Sequence, residues 1–291
     1  MSTSLPEPTR NLAIMEKVIV AVDGTAAGEA AIGWVLARAG RTELSIEVTA
    51  VYDPLPSESV LASRDFGPVF EHLLQASADR VRREAPGVPV TTSLRTGHPR
   101  LQLAEASESA DLLVVGTLRH RADGAYDSVP VRLAGTTLCP TVVVPADWRS
   151  VGGPVVVGLD TTEQQSALTA FARAEALSAG RELVLVHSWA VPTLLAVVMF
   201  AHPGVWENVR ASHERALEES VRALREESAE LVVRERLREG AAARVLADAA
   251  EGADILIVGR HGRASAGETL LGSTGHGLLL ELPCPVAVVP E

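Results

Sequence analysis

Glycine and hydroxyl residues recur at a fixed spacing near the end of this 291-residue chain, in the pattern G-x2-G-x9-G-S-T formed by Gly259, Gly262, Gly272, Ser273 and Thr274. The apolar run 255–258, which predicts a buried strand, leads into the first glycine. A loop between a strand and a helix gathers backbone N–H groups and the positive end of the helix dipole, which together bind phosphate. Glycine lets the chain approach the anion and adopt positive φ, and Ser273 can cap the helix or donate to phosphate. The pattern predicts a phosphate-binding loop, with an ordinary surface loop as the alternative.

The residues inside this loop indicate binding rather than catalysis. Without a lysine, the loop is not the P-loop pattern, and its spacing is not G-x-G-x-x-G. Arg260 and Arg263 are its cations, which either offset phosphate charge or are simply solvated. We assign no catalytic residue and no metal ligand, and we expect hydrolysis to be slow at most, because phosphoryl transfer needs a positioned metal, cation and nucleophile.

Strand-like apolar runs alternate with helical patterns along the whole chain. The predicted strands start at Val18 and Val155 and continue at 44–51, 88–94, 111–116 and 141–144, and at 183–187, 232–237, 255–258 and 286–289. This alternation predicts an α/β fold with parallel strands covered by helices on both faces. Ligands bind such sheets at the carboxyl ends of the strands, where both Asp160 and the glycine loop lie. Asp160 can also cap the following helix, and the two roles can coexist.

The second half of the chain repeats the first. VIVAVDGT from Val18 returns as VVVGLDTT from Val155, ADLLVVG returns as ADILIVG, and Cys139-Pro140 returns as Cys284-Pro285. The repeat predicts a disordered leader over 1–16, a first domain over 17–146 and a second domain over 154–291, joined by a linker of about 146–153.

Composition excludes several classes of function. The net charge of −11 and the pI near 5.3 argue against a nucleic-acid or anionic-membrane surface. The longest apolar stretch, 190–201, is too short to cross a bilayer. Two cysteines without a disulfide framework, and a beginning without an export signal, predict a cytoplasmic protein.

Taken together, the first strand ending in aspartate, the ADILIVG strand, the glycine loop and the closing LPCPVAVVP resemble the universal stress protein family, as a tandem two-domain member of the actinobacterial type. The resemblance implies two flavodoxin-like (Rossmann-like) domains, each a five-stranded parallel sheet with helices on both faces. It also implies ATP, with or without Mg²⁺, as the ligand. The phosphate role then passes to the glycine loop, Gly158 and Asp160 lie beside the base and ribose, and the backbone near Val186 contacts the adenine.

The first copy departs from this pattern. Arg119 replaces the second glycine and Asp127 the third, the loop is two residues shorter, and the remaining matches are Asp23, Gly116, Ser128 and Val129. A non-glycine residue adopts positive φ at a cost, and Asp127 sets a carboxylate against phosphate. We therefore expect only a weak or vestigial site in the first domain.

The last strand of each copy is a sheet edge that needs cover. In the resembled family these strands pair across a two-fold axis, so we expect an intrachain pseudo-dimer, with a further homodimer left open. Cys139 and Cys284 would then approach that axis, either as buried small residues or as a disulfide.

The leading hypothesis is a nucleotide-dependent regulator or sensor of a stress response, which acts on a protein partner still to be identified. One alternative is a scaffold that binds partners but no nucleotide. Another is an enzyme that slowly hydrolyses ATP or transfers its phosphate, although the loop after the first strand, DTTE, lacks the S-G-G-x-[DS] pattern of adenylating folds.

Overall fold

The computed structural model describes residues 15–54, 66–118, 128–160, 166–190, 203–260 and 271–290. The first half contains β1 (Glu16–Ala21), α1 (Ala26–Ala39), β2 (Leu44–Tyr52), α2 (Gly67–Glu84), β3 (Val90–Thr96), α3 (Pro99–Ser107), β4 (Leu112–Thr117), α4 (Ser128–Ala134) and β5 (Thr141–Pro145). The second half contains β6 (Val155–Gly158), α5 (Ser166–Ala179), β7 (Leu183–Trp189), α6 (Pro203–Glu227), β8 (Val233–Glu239), α7 (Ala242–Ala249), β9 (Ile255–Gly259), α8 (Ser273–Glu281) and β10 (Val286–Val289). Within these ranges, no helix has the length and apolar character needed to span a membrane.

All ten strands form one sheet in the order β3-β2-β1-β4-β5-β10-β9-β6-β7-β8. Each half contributes five parallel strands, and the halves meet where β5 and β10 pair in antiparallel orientation. The connections change direction between β1 and β4, and again between β6 and β9. These two points are where open α/β sheets bind ligands. The predicted fold class, two tandem Rossmann-like domains, is confirmed.

The strands bury apolar side chains on both faces, as expected for parallel strands covered by helices. Along β1, Val18 and Val20 face one cluster of buried side chains and Ile19 faces the other, because successive side chains alternate between faces. Both clusters contain residues from both halves, among them Val155 and Val156 of β6. The core is therefore continuous from one half to the other.

The pairing of β5 with β10 gives the chain an internal pseudo-two-fold axis. Val142 pairs with Ala287, its counterpart in the repeat, and Val143 pairs with Val286. The intrachain pairing of the last strands, predicted from the sequence, is thus present. It also covers two apolar edges, which would otherwise be free to pair with other chains.

The two cysteines do not approach each other at this axis, contrary to expectation. Cys139 and Cys284 lie on opposite sides of the Val142–Ala287 pair, so on the order of 20 Å of strand separates them at about 3.3 Å per residue. A disulfide requires Cα atoms within about 7 Å. Both cysteines are buried, and no disulfide joins them. Burial, followed by the charge of Asp111, raises the pKa of Cys139 to about 12.

A buried ion cluster joins the two halves on one face of the sheet. The guanidinium of Arg38 in α1 donates to the carboxylates of Glu175 in α5 and Glu16 in β1, and Arg41 adds a contact to Glu175 at 3.4 Å. Glu175 is 1% exposed and Arg38 is 5% exposed. Burial alone would lower the pKa of Arg38, but the two carboxylates hold it above its ordinary value.

Candidate functional site

The carboxyl ends of β6 and β9 lie side by side in the second half. These strands pair through Val157 and Ile257, and they end at Gly158 and Gly259. Asp160 lies two residues beyond β6 and is half-buried. The structure therefore brings together two predicted site residues of the first strand and the start of the glycine loop at the switch point of this half.

The two ends of the glycine loop lie next to each other. The N–H of Gly272 donates to the carbonyl of Arg260 at 3.0 Å, and α8 starts at the next residue. The first hydrogen bond of α8 runs from His276 N to Gly272 O, so the N–H groups of Ser273, Thr274 and Gly275 have no acceptor within the helix. These three donors and the helix dipole point to the space beside the β9 terminus.

Glycine at position 272 is not required by backbone conformation. Gly272 has φ of −58° and ψ of 158°, which any residue adopts, so the expectation of positive φ is wrong here. Its lack of a side chain instead leaves α8 without a side-chain cap. Gly262 and Arg263 lie outside the described residues.

Arg260 extends from the end of β9 towards the first half. Its Nη1 donates to the carbonyl of Thr137 at 2.6 Å, while its Nε is buried without a hydrogen-bond partner. Leu271, at the other end of the loop, packs closely on Gly135 of the first half. A Cβ on Gly135 would lie 3.1 Å from the backbone nitrogen of Leu271. The second-half site therefore adjoins the junction between the halves.

Gly158 and Val186 are more constrained than expected from the sequence. A Cβ on Gly158 would lie 2.7 Å from the side chain of Leu246 in α7, so a larger residue here would require that side chain to shift. The carbonyl of Val186 already accepts a hydrogen bond from Leu159 N at 2.9 Å, and its side chain is 1% exposed. An adenine can therefore contact only those backbone groups near Val186 that do not already take part in strand pairing.

In the first half, Asp23 supports the start of α1. Its Oδ1 accepts hydrogen bonds from the Thr25 N–H at 3.0 Å and the Thr25 hydroxyl at 2.7 Å, and Thr25 caps the helix by accepting from Gly28 N. Asp23 thus supports the helix cap indirectly, by holding Thr25 in place. The carboxylate itself is exposed.

Gly116 has a packing role that the sequence did not reveal. A Cβ at this position would collide with the backbone carbonyl of Ala27 in α1. The end of β4 therefore touches the first turn of α1 directly, and this close approach accounts for the glycine without any phosphate. Ser128 begins α4, and Val129 follows it.

A cavity of about 210 Å³ lies at the carboxyl ends of β1, β2 and β4, beside the Asp23 and Gly116 just described. Most of its lining is apolar, and it includes Val129. Its lining also includes residues of β2 and α3 that were not predicted from the sequence, namely Thr49, Val51, Pro99 and Leu103. The only signal for the last two was the Gly97-His98-Pro99 turn before a predicted helix.

A second feature that the sequence did not indicate is a pair of histidines between β7 and α6. His187 is 4% exposed, and its ring nitrogens contact the carbonyl of Leu159 at 2.8 Å and Nδ1 of His213 in α6 at 2.9 Å. Trp189 packs against His213 and Trp206, with ring centroids 5.6 Å and 5.0 Å apart. These rings connect α6 to the segment that carries Asp160.

Comparisons with known proteins agree with this fold. The model of the universal stress protein family matches the chain twice, over residues 15–145 and 153–290. A universal stress protein of Mycobacterium tuberculosis (strain ATCC 25618 / H37Rv) is 27% identical over 297 residues, covering 94% of this chain and 97% of that protein. The crystal structure of a universal stress protein from Archaeoglobus fulgidus DSM 4304 is similar in fold, with a TM-score of 0.71 at 17% identity, over 94% of this chain and 98% of that one. The chain therefore belongs to the universal stress protein family, as a member with two tandem copies of the domain.

Proposed function

We propose that this protein is an ATP-binding regulator whose principal nucleotide site lies at the carboxyl ends of β6 and β9. The observation that carries the proposal is the hydrogen bond from Gly272 N to Arg260 O, because it closes the glycine loop and sets the start of α8 beside the end of β9. Backbone donors at a helix start, next to a switch point of a parallel sheet, favour phosphate. The resemblance to nucleotide-binding family members supports ATP.

In this proposal the phosphates meet the backbone N–H groups of Ser273, Thr274 and Gly275. The free Nε of Arg260 fits an anion, since a buried guanidinium donor without a partner is costly unless a ligand accepts from it. Gly259, Gly262 and Arg263 complete the loop. Gly158 and Asp160 lie beside the base and ribose, and the strand at Val186 adjoins the adenine.

We also propose the domain bounds, the strength of the first-half site, the way Mg²⁺ is held and the mode of action. The domains extend over 17–146 and 154–291, and the first holds at most a weak nucleotide site. Mg²⁺ would be held largely through the phosphates, since the described residues form no group of three or more metal-ligating side chains. Bound ATP would bias the conformation offered to a protein partner in the cytoplasm, without rapid turnover.

A substitution at position 272 tests the proposal at the start of α8. Gly272→Asp adopts the observed φ and ψ and provides α8 with a good N-cap, but it places a carboxylate where phosphate would bind. Gly272→Ser is the matched neutral cap. Calorimetry with ATP should show one strong site per chain, a loss of at least about tenfold in affinity for Gly272→Asp, and a change within about threefold for Gly272→Ser.

Mass spectrometry of nucleotide released from freshly purified protein would identify the natural ligand. Equal ATP affinity in Gly272→Asp and the wild type would move the phosphate site away from α8. No released nucleotide, and no binding at millimolar ATP, would favour the scaffold hypothesis.

A further inference from the structure

Strand β8 is the last strand at one edge of the sheet, so one of its sides pairs with no other described strand. Its ladder with β7 is bounded by two hydrogen bonds, from Leu183 N to Val232 O at 2.9 Å and from Gly240 N to Trp189 O at 3.0 Å. Bonds between parallel strands recur at every second residue. The even-numbered residues of β8 therefore bond to β7, and the odd-numbered residues point their N–H and C=O groups outwards, past the edge of the sheet.

The carbonyl of Val233 shows this outward direction directly. It accepts a hydrogen bond from Nη2 of Arg225 in α6 at 2.8 Å rather than from a strand. The other backbone groups on this outer side belong to Glu235, Leu237 and Glu239. They form a row of donors and acceptors to which another extended chain can add.

Three exposed arginines lie on one face of β8, namely Arg234, Arg236 and Arg238. Val233 and Leu237 pack into the cluster of buried side chains that includes α6, so the arginines, which alternate with them, lie on the opposite face. Successive arginines are about 6.6 Å apart along the strand, at about 3.3 Å per residue. Arg234 contacts Glu182 at 2.8 Å, but Arg236 and Arg238 form no ion pair within the described part of the chain. At least two positive charges are thus available to a partner.

The repeat indicates that the fold does not need all of these arginines. Strand β3, the counterpart of β8, forms the other edge of the sheet and has Thr91 and Ser93 where β8 has Arg234 and Arg236. Hydroxyl residues therefore suffice at an edge of this sheet. The arginines of the second half need a separate explanation.

The charge pattern of β8 restricts what can add to it. In any two-fold antiparallel pairing of β8 with a second copy, opposite residues share a face, so arginine meets arginine. A nucleic acid or polyphosphate that follows the arginines also meets the carboxylates of Glu235 and Glu239 along the same edge. An extended peptide satisfies both faces, because its own side chains alternate with the same period of two.

We propose that β8 is a docking edge for an extended, acidic segment of a protein partner, which adds to the sheet as an antiparallel strand. Acidic side chains at alternate positions would face the three arginines. Basic or apolar side chains between them would lie beside Glu235, Leu237 and Glu239. This inference does not depend on the proposed nucleotide site.

A capped peptide with the core KEVEKE is the probe. In antiparallel register it sets glutamate opposite each arginine, lysine opposite Glu235 and Glu239, and valine opposite Leu237. A peptide with the core KKVEEE has the same composition without the alternation and is the control. Fluorescence anisotropy with the full chain should show saturable binding of KEVEKE, with an affinity at least about tenfold higher than that of KKVEEE.

Two further measurements separate strand addition from simple charge attraction. Amide hydrogen exchange at Leu237 should slow when KEVEKE binds, but exchange at Arg236 and Arg238 should change little, because their N–H groups already bond to β7. N-methylation of the peptide's valine removes the N–H that faces β8 and should weaken binding by about tenfold or more. N-methylation of the glutamate beside it, whose N–H points away from β8, should change the affinity by less than about threefold.

A double variant tests the arginines themselves. Arg234→Thr/Arg236→Ser gives β8 the residues that β3 has at these positions, so it should fold as the wild type does. It should lower the affinity for KEVEKE by about fivefold or more, because two opposite-charge pairs across the strands are lost. Arg82→Thr/Arg83→Ser removes the same charge from α2 and should leave the affinity within about twofold. Urea denaturation of both variants checks that the fold is intact.

The proposal is overturned if KEVEKE does not bind, if KKVEEE binds as tightly, or if N-methylation of the valine has no effect. Polyphosphate that competes with KEVEKE at equal charge concentration would also overturn it, since charge alone would then account for binding. Unchanged affinity in the folded Arg234→Thr/Arg236→Ser variant would place the peptide elsewhere on the molecule and so refute a docking edge at β8.

Discussion

Gly116 and Gly158 lie at the carboxyl ends of strands at the two switch points of the sheet, and at both positions a Cβ would meet a close neighbour. The position of Gly116 abuts the backbone of Ala27, and that of Gly158 abuts the side chain of Leu246. A backbone neighbour cannot move aside as a leucine side chain can. Gly116 is therefore the less replaceable of the two, although it belongs to the half with the degenerate loop.

Gly116→Ala should lower the free energy of unfolding by about 1–3 kcal/mol or more, because the new methyl group must displace the first turn of α1. Urea denaturation followed by tryptophan fluorescence measures the change. Gly204→Ala is the control, since Gly204 lies in α6 with nothing within 4 Å of its Cβ position. That control should be neutral or slightly stabilising, because alanine favours a helix by about 1 kcal/mol over glycine.

A loss below about 0.5 kcal/mol for Gly116→Ala would contradict the packing account. The glycine would then have to be explained by a ligand, as its place in the repeat suggested. In that case, addition of a nucleotide should stabilise the wild type more than the variant.

At the scale of elements, two hydrogen-bonded histidines connect α6 to the second-half site. His187 in β7 bridges the carbonyl of Leu159, next to Asp160, and the ring of His213 in α6. Because His187 is buried, its removal takes one hydrogen bond from the carbonyl of Leu159 and one from the ring of His213, and it creates a cavity. The pair thus links α6 to the residue that follows β6.

His187→Ala should lower the free energy of unfolding by about 2–4 kcal/mol, through the cavity and the unpaired carbonyl of Leu159. His213→Ala removes only the outer, half-buried partner and should cost about 1 kcal/mol. His72→Ala, on the exposed surface of α2, serves as the control. Chemical denaturation measures the free energy of unfolding of the three variants. Equal losses for His187→Ala and His72→Ala would show that the contact between His187 and His213 does not stabilise the fold.

The elements themselves could be predicted well from the sequence. The run 286–289 became β10 as predicted, and residues 66–84, whose apolar and charged side chains recur at a helical period, form α2 from Gly67. Such patterns are readable because apolar periodicity acts over short ranges. Contacts between distant segments could not be predicted in this way. The collision of Gly116 with Ala27, the cavity walls from α3 and the reach of Arg260 to Thr137 depend on how elements pack.

The cysteines show the same limit at the level of strand pairing. The repeat placed Cys139 and Cys284 in equivalent positions, and the family resemblance implied that the last strands pair across a two-fold axis. Their separation depends on the register, in which Val142 and Ala287 lie on the axis. Register is set by side-chain packing across the junction, which a single sequence does not specify.

At the scale of the whole molecule, strand pairing, apolar packing and charged contacts all join the two halves. The strand pair β5–β10 makes the sheet continuous, and both clusters of buried side chains include residues from each half. The ion cluster of Arg38, Glu175, Glu16 and Arg41 adds a charged contact between α1 and α5. A ligand in one half therefore acts on a molecule whose halves share a core.

Glu175→Ala should lower the free energy of unfolding by about 3–5 kcal/mol, because it leaves the buried Arg38 with only Glu16 as a counter-ion. Glu175→Gln, which keeps the size and a hydrogen-bond acceptor, should lose less. Asp79→Ala is the matched control: it breaks the exposed pair of Asp79 with Arg82, which contributes at most about 1 kcal/mol. Urea denaturation at low and high salt measures all three, and the effect of Glu175→Ala should persist at high salt, since buried charges are poorly screened. A loss no larger than that of Asp79→Ala would mean that strand pairing and apolar burial hold the halves together without the ion cluster.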